Sequence, residues 1–96
     1  MIKRIVKLSF DPEQVPAFLT IFAESKDKIR AFPGCQHLEL WRDRQAPNIL
    51  FTFSYWEDEA ALERYRHSDL FTATWARTKV LFNDRPQAWS VDVVDA

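Results

Sequence analysis

Four segments of the chain have the period of two that is typical of strands, although Leu50 and Trp56 leave neither side of the third segment fully polar. The first segment places one set of residues on one side, Val6, Leu8 and Phe10, and a more polar set on the other, Lys3, Ile5, Lys7 and Ser9. A short polar turn joins the second and third segments, which predicts a β-hairpin. The predicted strands cover residues 2–10, 36–42, 49–55 and 88–91.

Two stretches between these strands have apolar residues at helical spacing. The stripe of the first stretch consists of Val15, Phe18, Leu19, Phe22, Ile29 and Phe32. Asp11 and Pro12 suit the start of a helix, but Pro16 would then lie one turn in and forfeit a hydrogen bond. The regular helix is therefore expected to begin slightly later. Gly34, the only glycine, follows this helix and predicts a backbone position with positive φ.

The second helical stretch runs to about Phe82 and contains a signal for an internal restart. Asp58 is placed to cap its beginning, and Ser68 lies three residues before Phe71, the spacing of a second cap. The element order is βαββαβ, which predicts an α+β ferredoxin-like sandwich, an antiparallel sheet with two helices on one face. A chain of 96 residues with this pattern is expected to form one domain, residues 1–96.

Composition adds two constraints to this picture. Hydrophobic residues make up 47% of the chain and aromatic residues 15%, which is more apolar surface than two helices and one sheet can cover, so a partner subunit or a ligand pocket is predicted. The 13 basic and 14 acidic residues are dispersed, which argues against a nucleic-acid partner. Charges interrupt the apolar amino terminus, so we expect no membrane association and a cytoplasmic protein. Cys35 is the only cysteine, so neither a disulfide nor a thiol-based metal motif is predicted.

The segment Phe51–Phe71 is the most distinctive part of the chain. An aromatic-rich strand ends in Trp56 and is followed by a polar cap, a short Ala-Leu-aromatic helix and a Ser-x-x-Phe motif. Together with the turn Phe32–Gln36 and the closing strand Ala88–Val91, this pattern resembles the antibiotic biosynthesis monooxygenase family over nearly the whole chain. The resemblance implies a homodimer in which two open sheet faces press together as a dimeric α+β barrel. It also implies oxidation of quinols, anthrones or related phenols by molecular oxygen without flavin, haem or metal, so no cofactor is expected.

Two branches of that family use residues that this chain lacks. One branch degrades haem with an Asn on the first strand, a Trp at the strand-helix junction and a His on the second helix. This chain keeps the Trp as Trp56, but Val6 and Trp75 stand at the other two positions, so haem degradation is not expected. A branch related to quinol oxidation often carries histidines on the second helix, where this chain has Tyr65 and Leu70.

Three neighbouring residues of the second strand are candidates for proton transfer. His37, Glu39 and Trp41 project to the same side and would form a compact group if that side lines a cavity instead of the dimer interface. We predict His37 or Glu39 as the proton acceptor. The structural alternative for Glu39 is a cross-strand ion pair with a lysine or arginine. His67, just before the helix restart, is expected to be solvated.

Aromatic side chains are predicted to shape the pocket for a small aromatic ligand. The candidates for substrate contact are Trp41, Trp56, Tyr65, Phe71 and Trp75. Each could instead serve only core packing, because burying an aromatic ring is favourable in itself. No metal site is predicted, since the two histidines lie in different elements.

These observations lead to one principal hypothesis and two alternatives. The principal hypothesis is a cofactor-independent monooxygenase acting on a small aromatic or quinol-type compound. The first alternative is a non-catalytic dimer that binds a hydrophobic metabolite or serves a stress-related role. The second is a purely structural dimer whose aromatic residues all belong to the core.

Overall fold

Four antiparallel strands form the sheet of the computed structural model, which describes residues 1–96, and three helices cover one face. The strands are β1 (Ile2–Ser9), β2 (Cys35–Arg42), β3 (Ile49–Trp56) and β4 (Gln87–Val91). The helices are α1 (Val15–Arg30), α2 (Glu59–Arg66) and α3 (Asp69–Lys79). The strand order is β2-β3-β1-β4, with β2 and β3 as the predicted hairpin. This topology confirms the ferredoxin-like α+β sandwich.

The start of α1 follows the proline pattern of the sequence. A single 3-10 turn at Pro12–Gln14 precedes the helix, and Pro16 lies in its first turn, where a missing N–H costs no hydrogen bond. The helix therefore begins after the first proline, as expected. Asp11 makes no side-chain capping bond, and its backbone carbonyl instead accepts from the N–H of Gln14 at 2.8 Å.

The second helical stretch is divided into α2 and α3 at His67. Asp58 caps α2 by accepting from the N–H of Ala61 at 2.8 Å, and Ser68 caps α3 by accepting from the N–H of Phe71 at 3.1 Å. Both predicted caps are confirmed. The His67 ring is exposed, and its Nδ1 donates to the carbonyl of Glu63 at 2.8 Å. Because each cap starts its own helix, α2 and α3 are two separate helices over the covered face of the sheet.

Gly34 is required both for its backbone angle and for its lack of a side chain. Its φ is +91°, a region that L-residues rarely adopt, as the sequence predicted. A Cβ at this position would lie 2.4 Å from the Cβ of Ala61, on α2. The Gly34 carbonyl also accepts from the N–H of Glu57 at 2.8 Å. These contacts fix the start of β2 against the beginning of α2.

Strand register assigns each residue of the sheet to the covered face or the open face. On the face covered by helices, Val6 of β1 pairs with Thr52 and Ala88. On the open face, Ile5 of β1 lies between Phe53 and Trp89. The open face carries no helix, as predicted. No helix has the length and hydropathy that a membrane crossing needs.

The covered face has two hydrophobic clusters instead of one continuous core. The larger cluster contains Leu8, Phe10, Val15, Phe18 and Leu50. The smaller cluster contains Trp56, Ala61 and Leu62, with Phe32 and Tyr65 packed against it. A gap between the two clusters remains under the helices, and it becomes the cavity described below.

Candidate functional site

A cavity of about 350 Å³ lies between the helices and the covered face of the sheet. Residues from both hydrophobic clusters line it, including Phe18 from the larger and Trp56 from the smaller. Arg66 and Ala88 are the exposed members of the lining, and all of β4 is exposed, so the opening lies on the β4 side. The volume falls within the range of about 300–1,000 Å³ that is typical of small-molecule sites.

An unbroken series of aromatic rings forms one wall of this cavity. Trp56 stacks on Tyr65 with ring centroids 4.8 Å apart, and Tyr65 meets Phe71 edge-on at 5.3 Å. Phe71 in turn stacks on Trp75 at 5.7 Å with an angle of 10° between the ring planes. The structure thus brings together four of the five aromatic residues predicted to contact substrate. Flat apolar walls of this kind favour planar aromatic ligands.

Two guanidinium groups also line the cavity. Arg4 is half-buried on the covered face of β1, and its Nη1 donates to the hydroxyl of Ser90 at 3.0 Å. Burial, and secondly the charge of Arg66, lowers the pKa of Arg4, while Glu63 acts in the opposite direction. Arg66 pairs with Glu63 at 2.9 Å, whereas no carboxylate lies within 4.0 Å of the Arg4 guanidinium.

The lining contains no Asp, Glu, His or Cys. Its hydroxyl groups come from Ser25, Thr52, Ser54, Tyr65, Thr74 and Thr78. Burial raises the pKa of the Tyr65 phenol well above its ordinary value, so this hydroxyl stays protonated at neutral pH. The cavity therefore offers hydrogen-bond donors and positive charge but no group that would accept a proton at neutral pH.

The predicted group of His37, Glu39 and Trp41 forms, but on the open face of the sheet. Trp41 Nε1 donates to one oxygen of Glu39 at 3.1 Å, and His37 Nε2 hydrogen-bonds the other. The hydrogen bond from His37, and secondly that from Trp41, lowers the pKa of the Glu39 carboxyl. Glu39 thus pairs within its own strand, and the cross-strand ion pair considered as its structural alternative is absent.

The open face has an aromatic surface of its own around these three residues. Trp41 stacks on Phe53 at 4.4 Å, and Phe53 meets Tyr55 edge-on at 5.0 Å. Because the sheet separates this surface from the cavity, Trp41 does not share a pocket with Trp56 and Trp75, which corrects the prediction that all three shape one pocket. A ligand in the cavity is likewise out of reach of His37 and Glu39 in the same protomer.

Residues 1–77 match the family model described as antibiotic biosynthesis monooxygenase. The chain belongs to this family. No curated protein matches the sequence significantly. The match to the family model covers most of the chain and includes every residue of the aromatic wall.

Solved structures of similar proteins agree with the fold over the whole length. A crystal structure described as an antibiotic biosynthesis monooxygenase superposes with a TM-score of 0.92 at 24% identity, covering 99% of this chain and 100% of that one. A conserved protein from Methanosarcina mazei Go1 gives 0.90 at 20% identity, covering 94% and 89%. A protein from Mycobacterium tuberculosis gives 0.89 at 18% identity, covering 99% and 96%. Identities this low support the shared fold alone.

The monooxygenase-family cavity in this chain does not suit haem. Val6 and Trp75, the positions where the resemblance implies the Asn and His of the haem-degrading branch, both line the cavity, and neither offers a ligand for iron. Tyr65, the one phenol in the lining, is stacked on Trp56 and has a raised pKa, so it is a poor source of a phenolate ligand. Nowhere in the chain do three His, Cys, Asp or Glu side chains cluster closely enough to hold a metal ion.

The two arginines were not among the predicted site residues, although the sequence contains signals for both. Arg4 has the same strand parity as Val6 and Leu8, so it is a charged residue on an otherwise apolar face. Arg66 follows Leu62 by one helical turn and therefore lies on the inward side of α2. Charges at such positions point to a cavity or a buried pair. Cys35, in contrast, has a pKa raised mainly by burial, as expected of an inert thiol.

Proposed function

We propose that this protein is a cofactor-independent monooxygenase that oxidises a small aromatic or quinol-type compound held in the covered-face cavity. The observation that carries the proposal is the cavity itself, since a structural dimer has no need of a space walled by Trp56, Tyr65, Phe71 and Trp75. Family membership supports the same activity class. The flat wall would orient a planar substrate, and the apolar lining would limit the water around its reacting carbon.

The proposed reaction needs no external reductant. An aromatic ketone with an acidic methylene group loses a proton, and its carbanion transfers electrons to molecular oxygen to form a hydroperoxide at that carbon. Loss of water then leaves a second carbonyl, so the balance is one CH₂ group plus O₂ giving one C=O group plus H₂O. The positive charge of Arg4 would stabilise the oxyanion of the deprotonated substrate, together with lining hydroxyl groups other than Ser25 and Thr78, which already donate to backbone carbonyls.

This proposal has two versions, which differ in the group that accepts the proton of the substrate. In the first version the substrate gives its proton to water at the opening, because the cavity lining holds no carboxylate or imidazole. In the second version His37 or Glu39 is the proton acceptor, which requires a ligand on the open face. The geometry favours the first version, because Glu39 is already engaged by His37 and Trp41.

We further propose that two copies pair through their open faces. Trp41, Trp89 and Val91 of this face are each at least 39% exposed, and such an aromatic surface is unusual for an isolated domain. Pairing would bury this aromatic surface, which lies on the opposite face of the sheet from the cavity. The competing function is a non-catalytic dimer that holds a hydrophobic metabolite in the same cavity, and the absence of a base in the lining favours this alternative.

Oxygen uptake by metal-free, flavin-free protein tests the activity. Anthrones and reduced quinols would be supplied, and their autoxidation subtracted. We expect saturable uptake that Thr74→Phe lowers at least about tenfold, because a ring at Thr74 would fill the cavity. Thr72→Phe is the matched control, since Thr72 is exposed on the same helix and does not line the cavity. Uptake that is absent across the panel, or equally reduced in both variants, would remove the monooxygenase proposal and favour the binding role.

A further inference from the structure

The charged side chains that line the cavity are all positive. Two cations, Arg4 and Arg66, contribute to the lining, and no anion does. Glu63, whose charge acts on Arg4, lies outside the lining and pairs with Arg66 at 2.9 Å. One carboxylate thus faces two guanidinium groups, which leaves this end of the cavity with a net positive charge.

Arg4 is the less satisfied of the two cations. It is half-buried between the hydrophobic clusters, and its one side-chain hydrogen bond goes to the neutral hydroxyl of Ser90. A guanidinium group has five N–H donors, so most of its donors remain available. A partly buried charge without a counter-ion costs free energy, which an anion bound beside it would offset.

The apolar part of the cavity continues directly from these cations. Arg4 pairs with Ser54 across the sheet, and Trp56 follows two residues later on the same covered face. A ligand with its negative charge at Arg4 would therefore lay its rings along the wall of Trp56 and Tyr65. The exposed Arg66 and Ala88 place the charged end near the opening, where the remaining polar atoms of the ligand stay in water.

We propose that Arg4 and Arg66 form an anion-binding end of the cavity and that the ligand is a small planar aromatic compound carrying one negative charge as a phenolate, enolate or carboxylate. This inference rests on the proposed function in placing the ligand in the covered-face cavity, and it adds the charge state. For a phenolate or enolate ligand it also explains how the cavity can work without a base, because the guanidinium groups select a substrate that has already lost its proton.

Binding of two matched probes, 2-naphthoate and the neutral 2-naphthamide, tests the inference by isothermal titration calorimetry at neutral pH. The probes have the same ring system and nearly the same size, so their difference in affinity reports the charge. We expect naphthoate to bind at least about tenfold more tightly than naphthamide, because hydrogen bonds from a guanidinium group to a charged carboxylate are stronger than those to a neutral amide.

Substitutions assign this difference to particular residues. Arg4→Gln and Arg66→Gln should each weaken naphthoate binding about tenfold and change naphthamide binding less than about twofold. Arg64→Gln is the matched control, since Arg64 is exposed on the same helix as Arg66 and does not line the cavity. Arg4→Lys retains the charge and should retain part of the selectivity. If circular dichroism shows that Arg4→Gln does not fold, the same titrations of Arg66→Gln test the inference, because Arg66 is exposed.

Three outcomes would overturn the inference: equal affinity for the two probes, an equal loss of naphthoate binding in Arg64→Gln, or no binding of either probe at millimolar concentration. Oxygen uptake on the same samples separates this inference from the proposed activity. Uptake of oxygen together with equal probe affinities would retain the monooxygenase and reject the anion site. Selective binding of naphthoate without uptake would retain the anion site and leave a binding protein.

Discussion

The two faces of the sheet carry similar side chains but present them in different ways. On the covered face, aromatic residues enclose a cavity and two arginines lie at its charged end. On the open face, aromatic residues form a flat surface in which Trp41 stacks on Phe53. Consecutive residues of one strand supply both faces, since Tyr55 and Trp56 are neighbours in β3. The high aromatic content of the chain would therefore serve both proposed roles, a ligand site on one face and a subunit interface on the other.

The polar groups of the two faces differ in how far they are already satisfied. Glu39 on the open face accepts hydrogen bonds from His37 and Trp41, so both of its oxygens have partners. Arg4 on the covered face has no ionic partner within 4.0 Å. A satisfied polar group can be buried between subunits at modest cost, whereas an unsatisfied one favours a ligand. This difference supports an interface on the open face and a binding site on the covered face.

Replacing one tryptophan on each face should produce the largest contrast. Trp56 is 1% exposed, stacks on Tyr65 and donates to Ser54 at 3.0 Å, so Trp56→Ala should lower the free energy of unfolding by about 3 kcal/mol. Trp41 is 39% exposed, so Trp41→Ala should cost the monomer about 1 kcal/mol, chiefly through its stacking on Phe53. Urea denaturation followed by circular dichroism measures both values.

Measuring both losses at several protein concentrations separates the two tryptophans further. The loss caused by Trp56→Ala should not depend on concentration, because Trp56 packs within one protomer. The loss caused by Trp41→Ala should grow as concentration rises, because the wild type then gains stability from dimerisation that the variant lacks. If the loss caused by Trp41→Ala is the same at every protein concentration, Trp41 does not lie in an interface.

A charge at the centre of the open face should separate the subunits. Ile5 lies between Phe53 and Trp89 in the register of the sheet, so Ile5→Lys would place an ammonium group in the middle of the paired surfaces. We expect the dimer to dissociate at least about tenfold more readily, because an unpaired buried charge is costly. Light scattering at micromolar concentrations measures the change in mass.

The control for this experiment is a lysine placed outside the open face. Val80 is 73% exposed at the end of α3, so Val80→Lys adds the same charge without touching the sheet. It should leave the dimer intact. A wild-type protein that is already monomeric at these concentrations would remove the open-face interface altogether, and the cavity would then stand as the sole explanation of the aromatic content.

The fold could be predicted largely from the sequence because its signals are local. Asp58, Ser68 and Gly34 each act through contacts within a few residues or through one backbone angle, and all three behave as the pattern indicates. Strand parity likewise placed His37, Glu39 and Trp41 on one side of β2. The internal restart at Ser68 was visible as a cap, and the structure turns it into two separate helices.

The composition of the site could be predicted only in part, because it depends on which side of the sheet the helices cover. Parity groups Trp41 with Glu39 but does not say whether their side faces helices or remains open. Trp56 of β3 and Trp75 of α3 line the same cavity only because of how the helices pack over the sheet. The proposed role of Arg4 depends on the absence of a carboxylate within 4.0 Å, which is a property of three-dimensional proximity. Helix and strand periods carry no information about such distances.

The smallest expected effect is the pH dependence of the open-face carboxylate. Hydrogen bonds from His37 and Trp41 hold the pKa of Glu39 below its ordinary value of 4.5. A lowered folded-state pKa adds stability above the ordinary value, and that stability is lost as pH falls through the folded-state pKa. Wild type should therefore be more stable than Glu39→Gln at neutral pH, and the gap should close as pH falls below about 4.5.

Urea midpoints of the two proteins on either side of that pH measure the gap, at low ionic strength because Glu39 is exposed and salt would screen the effect. Glu13→Gln is the matched control, because it removes the same charge from an exposed carboxylate outside the sheet. A gap that persists unchanged at acid pH would mean that Glu39 stabilises the open face through its shape alone. Its hydrogen bonds would then give no reason to treat the open face as already satisfied, and the contrast with Arg4 would lose its electrostatic basis.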